Sequence, residues 1–225
     1  MRDINSFFSL ISINENEKEL AREYVELRGL DEHIMMANYL SSYLEEGKPT
    51  YSEVATAFRY DKRIRRIVYK YIGLLEEYYR SFLCNNYTST SELQIKTNKS
   101  LYDYCSNSLF SRVVNIVWSL DDTRREELFE SKIVLKKNLD ALVTLRNAIS
   151  HNWTLINYRN YDEVTLTNGE IGCSLLANVK NLMFLLPNKI QGSFKEDINN
   201  AAHFGFRKLT NQTEWNLPNF LVIKL

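Results

Sequence analysis

The chain has 225 residues, and 44% of them are hydrophobic, which is enough for a core in one large domain or in one domain with an appendage. The 28 Lys and Arg residues equal the 28 Asp and Glu residues in number, so a globally basic nucleic-acid binder is excluded, while a local basic face is not. The three cysteines include no Cys-x-x-Cys pair, which argues against a disulfide framework and against a structural zinc site.

The same features bear on the compartment of the protein. Unpaired cysteines are typical of a reducing cytoplasm. The N-terminal residues contain no long apolar segment of the kind found in a signal peptide, and no run of about 18 apolar residues is present that could span a membrane. We therefore expect a cytoplasmic protein with no membrane partner.

The chain is poor in residues that interrupt helices, with only 7 glycines and 3 prolines. Apolar residues recur at helical spacing in a series of stretches separated by turn-forming residues. In chain order, these predicted helices cover residues 16–28, 31–46, 52–58, 61–85, 101–120, 133–149, 175–186 and 189–206. Asp61 is expected to cap the longest of them, and Asp121 with Asp122 is expected to cap a further short, charged helix.

Three stretches lack this helical spacing. Residues 86–100 are polar and predict a mobile connection. Residues 152–169 predict an irregular loop or a hairpin, with Asn168-Gly169 as its turn. The tail over 220–225 is apolar and predicts an extended segment that could add a strand.

The helix over 133–149 leads into Arg146, Asn147 and, four residues further on, His151. These side chains are what metal-free RNA cleavage needs: a cation for the phosphate, a polar group that orients, and a base that titrates near neutral pH. Five helical residues make about 500°, so Arg146 and His151 point about 140° apart and converge only if the helix ends or distorts between them. The competing interpretation is that His151 only caps the helix while Arg146 pairs with a carboxylate.

The catalytic interpretation needs no metal and no cofactor. Neutral His151 would take the proton of a ribose 2′-hydroxyl, which attacks the adjacent phosphate. Arg146 would neutralise the charge of the transition state through its planar guanidinium, and Asn147 would hold the imidazole or the phosphate. One His cannot easily act as both base and acid on opposite sides of the phosphorus. The mechanism therefore predicts a homodimer in which a symmetric partner completes the chemistry.

A basic run, formed by Lys62, Arg63, Arg65 and Arg66, lies in the longest predicted helix, largely opposite its apolar stripe. Such a run is either a phosphate-binding face for RNA or an ordinary solvated helix face.

Other side chains favour structural roles. Glu76 and Arg80 stand four residues apart in the orientation that favours a helical ion pair. Such a pair is by default a weak surface contact, but its position near the apolar stripe also allows a half-buried structural pair. Core packing, rather than base stacking, is the expected role of the three tryptophans, Trp118, Trp153 and Trp215.

The segment Leu142–Asn157 resembles the C-terminal signature of the HEPN superfamily (higher eukaryotes and prokaryotes nucleotide-binding domains). That signature is Arg, a polar residue that is often Asn, and His after four to six intervening residues, and Arg146, Asn147 and His151 match it with four. More narrowly, the segment is similar to the Abi-like branch, the bacterial abortive-infection proteins. Their common motif Leu-Arg-Asn-x-x-Ala-His is matched here except that Ser150 replaces Ala.

A second resemblance supports the first. Abi-like proteins carry an Asp-x-x-Leu-Arg helix followed by a Glu-x-x-x-Arg pair, and Asp61 to Arg65, followed by Glu76 with Arg80, look like these motifs in the same order. Together the two resemblances cover about residues 20–160. Family members often have a further Arg three residues past the His. Thr154 stands at that position here, and Arg159 is the candidate to replace it as an RNA contact.

The resemblance implies an all-α, HEPN-type helical bundle with extra helices at both ends. It implies one domain over residues 1–225, with a core over about 17–160 and a C-terminal helical extension over 170–225. It also implies a homodimer with a composite site, metal-independent RNase activity, and a role in phage defence or as a toxin. The implied partners are RNA, an inhibitory noncoding RNA and a protein antitoxin.

Two alternatives stay open. The first is an RNA-binding HEPN module whose Arg and His bind RNA without cleaving it. The second is a purely structural helical interaction protein.

Overall fold

The computed structural model describes residues 3–166, 169, 171–202 and 221–225, apart from the side chains of 161 and 162. The chain is mostly helical, as the apolar spacing predicts. The helices are α1 (Ile4–Phe8), α2 (Lys18–Arg28), α3 (Leu30–Ser41), α4 (Tyr51–Asn86), α5 (Leu101–Asn107), α6 (Phe110–Ser119), α7 (Asp122–Leu128), α8 (Lys136–Ser150), α9 (Leu175–Leu185) and α10 (Asn188–Asn200). None of the described helices is both long enough and apolar enough to cross a membrane.

Strands β1 (Arg159–Thr165) and β2 (Ile171–Ser174) form an antiparallel pair between α8 and α9. Thr165 pairs with Ile171, and the register shifts before Arg159 pairs with Ser174. This hairpin is the second of the two forms predicted for the polar stretch after α8, and it departs from a strictly all-α fold. Gly169 has φ +77° in the connection, which suits the predicted turn, while Asn168 lies outside the described residues.

The chain divides into two compact units. Of the described residues, 3–64, 199–202 and 221–224 form the first unit, and 65–198 with 225 form the second. This division differs from the predicted core (about 17–160) and extension (170–225), because α9 and most of α10 belong to the same unit as α8. That sequence-based division stays a prediction.

In the first unit, α3 packs against both α1 and α2. Its core contains an aromatic cluster in which the His33 ring stacks on Phe58 with 4.7 Å between centroids and meets Phe7 edge-on. The Nδ1 atom of His33 lies 2.7 Å from the Gly29 carbonyl oxygen. Burial lowers the pKa of His33, and the contact with Gly29 opposes this effect.

In the second unit, α8 packs against α6, α9 and β1. A buried amide pair joins α8 to α9: Asn138 donates to the Asn181 side-chain oxygen (2.7 Å), and Asn181 donates back to the Asn138 carbonyl (2.8 Å). Asn138 also donates to the Thr165 carbonyl of β1 (2.9 Å). The buried side-chain amides of Asn138 and Asn181 are therefore paired with each other's residue, which fixes α8 along its inner face.

Two cysteines that are distant in sequence also meet in this unit. Cys84 of α4 and Cys105 of α5 are free thiols in hydrogen-bonding contact, and burial raises the pKa of Cys105 to about 11.

Several predicted boundaries were wrong. The helices predicted over 52–58 and from Asp61 are one continuous helix, α4, because no Gly or Pro separates them. Asp61 is 1% exposed inside that helix and therefore does not cap it. The helix predicted over 101–120 is broken at Ser108, where the backbone is extended between α5 and α6.

Other ends also differ. The helix predicted to reach residue 46 ends with Ser41. The helix predicted from 133 begins with Lys136, and Ile133 is 80% exposed, because Glu130 and Ser131 adopt positive φ in a turn before it. Residues 221–225 form no strand, and residues 203–206 and 220 of the predicted elements lie outside the described residues. By contrast, the cap at Asp121 was correct: its side chain accepts the Arg124 N–H (2.9 Å).

Candidate functional site

The C-terminal end of α8 closes in a Schellman turn. His151 is the C-cap residue, and Asn152 follows with φ +60° in the left-handed region that Asn tolerates. The Asn152 N–H donates to the Ile149 carbonyl (3.0 Å), and the Trp153 N–H donates to the Ala148 carbonyl (2.9 Å). The helix therefore ends one residue beyond the predicted end at 149, and Asn152 supplies the left-handed residue at that end.

Arg65 of α4 binds this turn. Its Nη1 atom donates to the Asn152 carbonyl oxygen (3.2 Å) and also to the Asn152 side-chain oxygen. The Arg65 side chain is only 8% exposed, and a cation beside the C-terminus of α8 complements the helix dipole. Arg65 thus holds the residue that directly follows His151.

Arg146, Asn147 and His151 share the solvent-facing arc of α8. Asn147 and His151 are exposed and Arg146 is half-buried. Because α8 stays helical through Ser150, Arg146 and His151 stand about 140° apart around the axis and about 7.5 Å apart along it, with Asn147 between them. The side chains of Arg146 and His151 therefore lie on either side of Asn147, and the helix does not bring them together at one point.

These three side chains make no hydrogen bond or ion pair with any other described residue. The predicted alternative, in which Arg146 pairs with a carboxylate, finds no such carboxylate in the described part of the chain. A guanidinium without a counter-charge beside an exposed imidazole is suited to bind an anion.

The segment after His151 contains one residue that the sequence analysis misjudged. Trp153 was expected in the core but is 57% exposed. The Schellman turn reverses the chain here, so an aromatic residue that would continue the apolar pattern is turned outward. The segment around Trp153 contains no glycine that would mark a turn, and Asn152 is the residue whose positive φ signals one.

Thr154, which stands where family members often have Arg, and Arg159, its candidate replacement, lie in different surroundings. Thr154 is buried, so this position faces inward rather than toward a ligand. Arg159, at the start of β1, is exposed and makes no hydrogen bond or ion pair with another described residue. The nearby Tyr158 hydroxyl is buried and has no hydrogen-bond partner among the described residues, and burial raises the pKa of Tyr158 to about 12.

The basic run of α4 does not form a single solvated face. In the first unit, Lys62 lies over the Phe58 ring (5.6 Å to the centroid), and Arg63 donates to the Ala201 carbonyl (3.1 Å). In the second unit, Arg65 is buried and Arg66 is exposed. The expectation that these cations lie largely opposite the apolar stripe does not hold for Arg65, because its guanidinium is hydrogen-bonded to Asn152.

Glu76 and Arg80 form an ion pair with 2.5 Å between Nη2 and Oε1, and their side chains are 21% and 18% exposed. The same Nη2 atom donates to the Ser108 carbonyl (2.8 Å). The pair is thus half-buried, and through Arg80 it is hydrogen-bonded to Ser108, the residue at which the chain leaves α5 before α6.

In the part of the chain that the structure describes, no group of three or more His, Cys, Asp or Glu residues is arranged to hold a metal ion. No protein-family model, curated protein or solved structure matches the chain.

Proposed function

We propose that the protein is a metal-independent endoribonuclease of the HEPN type. The observation that carries the proposal is the end of α8, where Arg146 and His151 flank Asn147 and none of the three is paired with another described residue. The resemblance of Leu142–Asn157 to the Abi-like signature supports the same assignment. A purely structural role gives no reason to leave a half-buried guanidinium without a counter-charge.

The proposed chemistry uses these side chains directly. The His151 imidazole accepts the proton of a ribose 2′-hydroxyl, whose oxygen attacks the adjacent phosphorus, and the bond to the 5′-oxygen breaks. The products are a 2′,3′-cyclic phosphate and a 5′-hydroxyl that takes up a proton. Arg146 stabilises the negative charge of the transition state, and Asn147 holds the phosphate between them. Arg65 acts as a positioning residue because it fixes the turn that follows His151.

A second copy of the chain would supply the remaining proton. The departing 5′-oxygen needs an acid on the side opposite to the base, and each α8 end carries one His. Asn147 and His151 are exposed and Arg146 is half-buried on this arc of α8, so two such arcs can face each other across a two-fold axis. We place the homodimer contact there.

The biological setting follows the same resemblance. An RNA-cleaving protein that acts in abortive infection or as a toxin must be inactive until needed. An inhibitory noncoding RNA or a protein antitoxin that covers the Arg146–His151 arc would achieve this, since either would keep the RNA substrate away from these side chains.

The test is RNA cleavage by purified protein in the presence of EDTA. Wild-type protein should cut RNA, and His151→Ala and Arg146→Ala should each lower the rate by at least about 100-fold, the scale of one general base or one transition-state cation. Arg22→Ala, an exposed arginine of α2, is the matched control and should cut as the wild type does. Mixing the two inactive variants should restore part of the activity if two chains share a site.

Three outcomes would contradict the proposal. Wild-type cleavage by either α8 variant would place the site elsewhere. RNA binding without cleavage by the wild type would favour the non-catalytic RNA-binding module. If the wild type neither binds nor cleaves RNA, the remaining alternative is the structural interaction protein.

A further inference from the structure

The second unit contains a cavity of about 560 Å³ away from the residues of α8. One wall is the loop before α5, which contributes Lys96, Thr97 and Lys99, and the other is formed by α5 and α6. Its volume lies within the range of small-molecule binding sites. No residue assigned to RNA cleavage lines it, so the cavity needs a separate explanation.

The charge of the cavity has one sign. Lys96, Lys99 and Arg112 line it, and none of the described lining residues is acidic. The three cations are exposed and make no ion pair with another described residue. The neighbouring carboxylate of Asp103 is already bonded to the Ser100 hydroxyl (2.6 Å), which caps α5. Three unneutralised cations around one concave surface favour a ligand with several negative charges.

A hydrogen bond from α4 holds the wall that α5 and α6 form. This wall contains Ser108, the point at which the predicted helix over 101–120 breaks into two. Arg80 donates to the Ser108 carbonyl (2.8 Å) while it pairs with Glu76. The half-buried pair on α4 therefore fixes the break that shapes the cavity, so the concave surface is built by the fold rather than by loose side chains.

Other lining residues could contact an uncharged ring of a ligand. Tyr104 supplies an aromatic face and a hydroxyl, Asn107 supplies an amide, and Ile95 supplies an apolar edge. Lysine ammonium groups bind phosphate oxygens as point charges, and arginine binds them with two parallel hydrogen bonds. Stacking on an aromatic side chain is the usual way in which proteins hold a nucleobase.

We propose that this cavity binds a nucleotide, with Lys96, Lys99 and Arg112 on its phosphates and Tyr104 against its base. The shared chemistry is a base attached to several phosphate charges. A free nucleoside triphosphate and a segment of single-stranded RNA both provide it. The site is separate from the Arg146–His151 arc, and its occupation does not depend on RNA cleavage.

The experiment measures binding by titration calorimetry for three probes: inorganic tripolyphosphate, a nucleoside triphosphate, and a five-nucleotide single-stranded RNA. All proteins carry His151→Ala so that the RNA stays intact. The triple variant Lys96→Gln, Lys99→Gln, Arg112→Gln removes the cavity charges. Its matched control, Arg22→Gln, Lys189→Gln, Lys195→Gln, removes three exposed cations elsewhere. Circular dichroism and thermal unfolding check that both variants are folded.

We expect the cavity variant to bind tripolyphosphate, and whichever of the other two probes is the ligand, at least about tenfold more weakly than the control. If RNA is that ligand, the slope of log affinity against log salt should flatten by about 2 units for three lost contacts. Tyr104→Leu should weaken nucleotide or RNA binding about tenfold and leave tripolyphosphate binding unchanged. A loss of triphosphate binding but not of RNA binding in the cavity variant identifies a free nucleotide, and the reverse identifies an RNA strand.

The proposal is overturned if none of the probes binds at millimolar concentration, or if the cavity variant binds as tightly as the control. Equal losses in both triple variants would show only a general effect of charge and would also overturn it. Because cleavage is not measured, none of these outcomes depends on whether the protein is a ribonuclease.

Discussion

Arg65 belongs to a basic run, yet its guanidinium is buried against Asn152 at the end of α8. A residue-by-residue count of charge would assign it to RNA, as it would Arg66. What separates the two is the helical position: Arg65 lies on the inner side of α4, and Arg66 lies on the outer side. The same residue type is therefore buried against a turn at one position and exposed at the next.

Replacing Arg65 tests this difference. Arg65→Ala should lower the free energy of unfolding by about 1–3 kcal/mol, because the acceptors of Asn152 lose a charged donor. It should also slow RNA cleavage through the displaced turn, while the salt dependence of RNA binding stays as in the wild type. Asn152→Gly is the control: Gly adopts positive φ freely and keeps the carbonyl acceptor, so it should be close to neutral. A flatter salt slope for Arg65→Ala would instead make Arg65 a phosphate ligand.

His33 gives the protein a defined pH dependence. Its pKa in the folded chain is lowered by burial, so below the unfolded value of about 6.5 the unfolded chain takes up a proton that the folded chain does not. The contribution of His33 to stability is complete above pH 6.5 and is lost as the pH falls toward the folded pKa.

Urea unfolding between pH 8 and pH 5 measures this effect. The wild type should lose stability relative to His33→Gln as the pH falls, with a slope of up to about 1.4 kcal/mol per pH unit. If the free energy of unfolding of the two proteins changes with pH in parallel across this range, burial does not lower the pKa of His33.

At the level of elements, apolar spacing predicted most helices, because burial of one face is a local property of the sequence. It placed the end of α8 to within one residue, since Asn152 provides the required left-handed residue. Apolar spacing gave wrong helix ends where contacts with residues distant in sequence determine them. The break at Ser108 is held by Arg80 from another helix, and the start of α8 follows a turn with positive φ at Glu130. The candidate triad could be read from spacing, but the lack of partners around it could not.

The two ends of the basic run of α4 should respond differently to charge reversal. Arg66 is exposed, so Arg66→Glu should weaken RNA binding and flatten the salt slope by about 0.7 units for single-stranded RNA. Arg63 donates to the Ala201 carbonyl, so Arg63→Glu should lower the melting temperature, with little change in that slope. Equal slopes for Arg66→Glu and the wild type would return Arg66 to an ordinary solvated position.

For the whole molecule, a balanced charge means that RNA is not attracted by the net field. Under the proposed function, RNA recognition therefore depends on local sites that carry a cation without a counter-charge. The described chain offers two in its second unit: the Arg146–His151 arc and the cavity lined by Lys96, Lys99 and Arg112. Each is tested separately, and the first carries the proposed activity.

The most direct test of that activity uses two RNA oligonucleotides of identical sequence, incubated with wild-type protein in EDTA. One is all ribose, and the other has a single 2′-deoxyribose at the position cut in the first. The account predicts that the all-ribose strand is cut to a 2′,3′-cyclic phosphate and a 5′-hydroxyl, and that the deoxy strand is bound but not cut there. Cleavage of the deoxy strand at that position, or a product with a 5′-phosphate, would contradict attack by a 2′-hydroxyl activated by His151.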